Sequence, residues 1–470
     1  MSVKGTRVDS NDTATEDGTI RDIEQENEKD PYTLPKEDSD SPEGYISKDG
    51  QTFASANNAG TEKQTSEIDI NETEPPDKGL RAWMVVVGSF CGNFATFGYV
   101  NSWGVFQSYY ERTLLSTTPP STIAWIGSIQ YSLCFVPGLV TGRLYDKGIV
   151  KLPLGLASAT LVAGTFITAE CKEYWQFLLC QGFFIGFSCG VIFGPAMGLI
   201  SHWFKKRRGL ALGISASGSS LGGTVFPIAA RHLIETAGFK WCMRTLGFIQ
   251  LFALIITNLT LDRRGAPSKV PRKMIDLKAF KSPAYTMWCL SGMVIFLGLY
   301  TVLTYIDVSA VSAGLSPSFT FYLVAIANAS SSLGRVIGGH IGDRIGPINA
   351  MIPPTLIAGG LTYAWPFART TPHFVVIAIF YGITSGVFVS LINAPFMAMG
   401  NPHDVGTKVG MAMTIIAIGA ITGPPISGAI YTASGGYKDM GYYAGSVIIL
   451  SCVMMAISKR LILGQWRGRA

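Results

Sequence analysis

The chain has 470 residues, 48% of them hydrophobic and only 14% charged, with a mean hydropathy of +0.31. A soluble multidomain protein of this length carries far more charge, so the bulk of the chain belongs in lipid. The formal net charge of +6 conceals two opposed parts, and their separation excludes a nucleic-acid reading of the basic residues.

Residues 1–78 hold twenty Asp and Glu against eight Lys and Arg, with Tyr32, Tyr45 and Phe53 as their aromatics. Such a segment cannot bury enough apolar surface to offset ordering, so it reads as a disordered acidic tail, a solvated trafficking segment without catalytic groups. The rest of the chain carries 29 Lys and Arg against 11 Asp and Glu. No apolar run precedes Leu80, and the first spanning helix is expected to serve as the targeting signal in place of a cleavable leader.

Runs of about 20 mostly apolar residues, the length that crosses a bilayer, fall near 82–106, 122–142, 149–169, 174–200, 209–230 and 241–261. After a polar stretch from Asp262 to Ser282 come six more, near 284–309, 318–340, 348–367, 373–399, 409–432 and 441–458. The expected organisation is an amino-terminal six-helix bundle over 79–261, a basic linker over 262–282, a second six-helix bundle over 283–458 and a short tail over 459–470. With the amino terminus inside, inward loops and the carboxyl tail carry twenty Lys and Arg and outward loops seven, which places both termini in the cytosol. Twelve spans exclude a seven-helix receptor.

Within this pattern the stretch from His202 to Gly223, HWFKKRRGLALGISASGSSLGG, sets four consecutive cations against an apolar segment rich in small residues. The cations mark the cytoplasmic edge of a helix, and the glycines permit close packing. Gly209, Gly218 and Gly222 recur 201 residues later as Gly410, Gly419 and Gly423, and a duplicated membrane unit is how secondary transporters are built. GRLYDKG from Gly142 and GHIGDRIG from Gly339 place Asp146 with Lys147, and Asp343 with Arg344, in equivalent turns. An acid there can pair with a cation such as Arg207 or Arg208, or face a helix amino terminus, forming a latch that opens with conformation.

These loops resemble the signature of the major facilitator superfamily, which implies an all-α fold of two pseudo-symmetric six-helix bundles working by alternating access. WFKKRRGLALGISASG from Trp203 and DKGLRAW from Asp77 are similar to the fifth- and first-helix signatures of the monocarboxylate transporter family, although Lys78 stands where that family commonly has glycine. Gly423, Pro424 and Pro425 extend the likeness, and AWMVVVGSF with NSWGVFQSYY resembles its fungal branch, which includes vitamin carriers and exporters of secondary metabolites. The resemblance spans about 390 residues and implies no enzyme activity.

Arg335 lies about 12 Å of helix rise before Asp343, deep in a span, where a charge marks function by default, the alternative being an inward-snorkelling arginine paired with a backbone carbonyl. By resemblance it matches the arginine that holds a substrate carboxylate, a role suited to a planar fork of donors. The acid of proton-coupled relatives, four residues earlier, is replaced by Ser331, and their first-helix lysine aligns with Asn101. Neither replacement titrates in range. Asp307, near the outer end of span seven, is the remaining proton-site candidate. Asn101, Gln130, Tyr131, Tyr305, Asn328, Ser331 and Asn393 are further candidates for hydrogen bonding an oxygenated solute, and helix-to-helix contacts explain such residues equally well. His202 and His340 fall at span ends and do not read as coupling groups. No HExxH, Walker or CxxC motif is present, so no metal, ATP or other cofactor is implied.

The expectation is a transporter, facilitative or secondary active, of an organic anion, vitamin-like compound or secondary metabolite, with efflux the favoured direction and the plasma membrane its site. Proton-coupled monocarboxylate import through Asp307 is the alternative within transport. A non-transporting sensor with the acidic tail as signalling arm is the alternative from another class.

Overall fold

The computed structural model describes residues 77–264, 276–399 and 405–468. Nearly all of the acidic tail and most of the basic linker lie outside the described residues, as does the side chain of Asp146.

Among the described residues, nine helical segments are long and apolar enough to cross a membrane. They include α1 (Leu80–Leu114), α2 (Thr122–Gly142), α3 (Lys151–Thr168), α4 (Tyr174–Trp203), α7 (Pro283–Ser312), α10 (Thr371–Phe396), α11 (Gly406–Ser434) and α12 (Tyr437–Leu463). The ninth, Arg208–Thr260, has 53 residues and would extend roughly 80 Å, far more than a bilayer accepts. It is broken at Gly238, whose φ of 81° only glycine adopts readily, and so counts as α5 (208–237) and α6 (239–260). Two more polar helices, α8 (Pro317–Ile345) and α9 (Pro347–Ala364), complete twelve. Proline at the first turn of α7, α8, α9 and α10 starts each helix where its missing N–H does no harm.

The residue pattern explains how the helices sort. Large apolar side chains such as Leu156, Phe184, Phe252, Leu259 and Phe380 are exposed and form the lipid-facing skin, whereas small and hydroxyl residues line the helix contacts. On α5 the glycines divide between two faces. A Cβ on Gly222 would stand 2.6 Å from the Cα of Gly98 and 2.7 Å from the carbonyl oxygen of Phe94, so this face packs on α1. A Cβ on Gly213 would stand 3.1 Å from the carbonyl carbon of Arg335 and 3.3 Å from the Cα of Val336, so the other face packs on α8.

The second half repeats the device. Gly423 abuts Phe296 and Leu297 of α7, while Gly410 abuts Gly138 and Leu139 of α2. The backbones of Gly209 and Gly339 meet in the same way as those of Gly410 and Gly138, and each member of one pair lies 201 residues from a member of the other. The α5–α8 and α2–α11 contacts are therefore copies of one another.

The first helix of each half is irregular at the same depth. In α1 the coil widens to a π-helical turn over Phe94–Gly98 and breaks at Asn101 and Ser102. In α7 it breaks over 297–300, where the freed carbonyl of Leu299 accepts the hydroxyl of Tyr381. Irregular backbone at membrane depth is tolerated where it lines a cavity.

Candidate functional site

Those two breaks face a central cavity bounded by α1, α2, α4, α5, α7, α8, α10 and α11. Its wall is unequal. Phe97, Phe135, Phe193 and Phe296 make an apolar side, and Asn93, Asn101, Ser219, Tyr300 and Arg335 a polar one. A smaller adjoining lobe shares Asn101, Tyr300 and Arg335 and adds Asn328 and Ser331. Ring pairs Tyr131–Tyr300, at 5.2 Å, and Phe135–Phe296, at 5.6 Å, join α2 to α7 beside the cavity.

Arg335 is 6% exposed, and its position follows from the one-sided glycine packing of α5 on α8. Its Nη1 donates to the carbonyl of Ala216 at 2.7 Å and to the hydroxyl of Ser219, and its Nε donates to Ser331 Oγ at 3.3 Å. Nη2 has no hydrogen-bond partner among the described residues. A buried guanidinium thus keeps a donor in reserve beside an open volume.

Two turns along α8 towards the basic end of the molecule, Asp343 accepts the backbone N–H of Gly209 at 2.6 Å and of Leu210 at 2.8 Å. These are first-turn donors of α5 with no partner inside the helix, and the positive helix end favours the carboxylate. Arg208 adds a charge attraction. Asp343 thus faces a helix amino terminus. Arg207, Lys147 and Arg344 are exposed at this end.

The other candidates scatter. Asn101 lines both lobes, and Ser331 and Asn328 line the smaller one, Asn328 while donating to the carbonyl of Gly223 at 3.2 Å. Tyr305 lies outside both lobes and donates to the carbonyl of Pro424 at 3.3 Å. Gln130 and Asn393 are buried outside both lobes, with side-chain polar atoms that find no hydrogen-bond partner among the described residues. Asp307 also lies outside both, and its carboxylate accepts the N–H of Val308 at 2.7 Å. All eight cysteines are free.

Three groups of residues escaped the sequence reading. Ala216 and Ser219 partner Arg335 through contacts that no motif marks. The phenylalanine wall looks like any membrane core in the sequence. Asp77 was legible within DKGLRAW but not its use: its carboxylate accepts the N–H groups of Lys205 and Lys206, each at 2.8 Å, and of Arg207 at 3.2 Å. Arg81 and Trp203 both reach Asp262, at 2.8 Å and 2.9 Å, so the two family-like motifs interlock.

Among the described residues, twelve helices in repeated halves, irregular helices at a central cavity and a buried arginine there define a secondary transporter that works by alternating access. The model of the Major Facilitator Superfamily matches residues 83–394, and the chain belongs to that superfamily. It is 36% identical over 401 residues to the aspyridones efflux protein of Emericella nidulans, covering 85% of this chain and 82% of that protein. Over 418 residues it is 36% identical to the fujikurins efflux protein of Gibberella fujikuroi, covering 86% and 89%. An MFS-type transporter of an Ophiocordyceps species is 36% identical over 403 residues, covering 84% and 89%. Among solved structures, the human organic anion transporter TETRAN superposes with a TM-score of 0.63 at 14% identity, covering 81% of this chain and 100% of that one. The proton:xylose symporter XylE gives 0.66 at 12%, covering 80% and 95%. The protein is a multi-pass membrane transporter of a small organic solute, not an enzyme.

Proposed function

We propose that this transporter exports an organic anion, with the anionic group held on Arg335 and the rest of the solute against the phenylalanine wall. The carrying observation is the spare Nη2 of a buried arginine at the cavity. Asn101 and Ser331 are proposed to complete the polar side. Two relatives of similar length are named for efflux of aspyridones and fujikurins, which supports the outward direction and a secondary metabolite as cargo.

In this reading residues 79–261 and 283–458 are the two bundles, rocking about the cavity. The end carrying Lys205 to Arg208 faces the cytosol, with both termini there, in the plasma membrane. Asp343 with Gly209 and Arg208 is the latch that holds the cytosolic side shut, and release of that carboxylate from the start of α5 lets the bundles part. The family-like motifs around Asp77 and Trp203 support placement in the monocarboxylate-like branch.

The test is efflux of organic acids from a strain lacking the protein and complemented with Arg335→Ala. Loss of saturable efflux at normal surface abundance is expected. Unchanged efflux would overturn the assignment.

A further inference from the structure

Among the described residues, Arg335 is the one fixed charge that lines the cavity. Among the described residues no Asp, Glu, His or Lys lines either lobe. The groups that face Arg335 are Ala216 and Ser219 from α5, Ser331 on its own helix, and the phenols of Tyr131 from α2 and Tyr300 from α7. Phenols are neutral at physiological pH. The nearer acids are engaged elsewhere, Asp343 on the first turn of α5 and Asp307 on the backbone of Val308 outside the cavity. A proton has no carboxylate or imidazole in this wall on which to travel with the solute.

The charge balance of the cycle follows. With an anion bound, Arg335 and its cargo reorient as a neutral pair. After release the empty site returns carrying the guanidinium charge, and that step feels the membrane potential. In a cell with a negative interior, returning a positive site inward is downhill, and each complete cycle carries one negative charge out. We propose that the protein is an electrogenic uniporter of amphipathic organic monoanions, in which the membrane potential, not a proton, drives export. The apolar wall of Phe97, Phe135, Phe193 and Phe296 selects a flat, largely apolar body behind the anionic group. The inference rests on the reading of Arg335 as the anion site.

The test uses the purified full-length protein in proteoliposomes and two probes, naphthalene-2-sulfonate, which has no protonated form near neutral pH, and 2-naphthoate. Valinomycin and potassium gradients set the potential at equal pH. For one unit charge, ~100 mV sustains a roughly 50-fold concentration ratio at equilibrium, whatever the orientation of the inserted protein. The expected result is accumulation of both probes on the positive side by about that factor, with no accumulation of the sulfonate under a pH gradient alone. Arg335→Lys should keep the potential dependence at a lower rate, because the charge stays while the fork is lost. Accumulation that follows the pH gradient, or protein-dependent equilibration indifferent to potential, would overturn the uniport inference and leave the anion site standing. Absence of Arg335-dependent binding of both probes to the purified protein would overturn the anion site and this inference together.

Discussion

Asp343 accepts the backbone N–H of Gly209 at 2.6 Å, so a carboxylate on α8 caps the amino terminus of α5. The same two helices are tied again two turns away, where Arg335 donates to the carbonyl of Ala216. One helix pair therefore carries both the proposed latch and the proposed solute site, and an anion drawing Arg335 from Ala216 would act on the contact that Asp343 closes.

Asp343→Asn should loosen that end. The amide keeps one acceptor and loses the charge, removing about 1–2 kcal/mol of capping and helix-dipole attraction, a shift of roughly five- to thirtyfold in population. Spin labels at the basic ends of α5 and α8 should show a longer distance in a larger fraction of molecules. An unchanged distance distribution would argue against the latch.

Gly213→Ala should force α5 from α8, because the new methyl meets the backbone of Arg335 and Val336 and no flexible side chain can yield. Overpacking of this kind costs about 1–3 kcal/mol. Gly104, within the helix Trp103–Tyr109, has open space where a methyl group would stand, with nothing within 4 Å, and Gly104→Ala should stabilise by about 0.5–1 kcal/mol through lost unfolded-state freedom. Thermal unfolding of the two variants in detergent should move in opposite directions.

Asp77→Ala removes the acceptor for three backbone N–H groups in the loop between α4 and α5. Water can replace part of what is lost at this exposed site, so destabilisation of about 1 kcal/mol is expected. The readout is lower abundance and melting temperature. Removing residues 1–75, which leaves Asp77 in place, should preserve flux and alter abundance at most, an outcome the sensor reading does not share.

Glu170 bonds Lys240 at 2.6 Å and Arg244 at 2.9 Å between the end of α3 and the start of α6. The hydrogen bond from Lys240, aided by Arg244, holds its carboxyl below the usual glutamate range. A depressed folded-state pKa contributes stability that is full above the ordinary glutamate value and is lost as pH falls through the folded value. The wild-type advantage over Glu170→Gln in thermal unfolding should therefore be present at neutral pH, survive mild acid and disappear in stronger acid. It should shrink in high salt, since the pair is exposed.

Local composition carried much of the architecture. Apolar run length marked the spans, basic residues marked one end, and the 201-residue offset of Gly209 and Gly410 announced a repeat that the helix contacts reproduce. Arg335 was legible because an isolated charge in a span is costly and rarely idle. Gln130, Asn393, Tyr305 and Asp307 were weaker candidates because polarity within a span does not say which face of a helix it occupies, and all four lie outside the cavity.

That the chain is a twelve-span, internally repeated membrane transporter could be read from its residues alone, since hydropathy, charge asymmetry and glycine spacing act over short range and need no partner. What the marked residues do could not. Whether Asp343 meets a cation or a helix end, whether Asp77 is idle or caps a loop, and which phenylalanines line the cavity depend on which helix faces lie together. That is set by close backbone approach between segments more than a hundred residues apart.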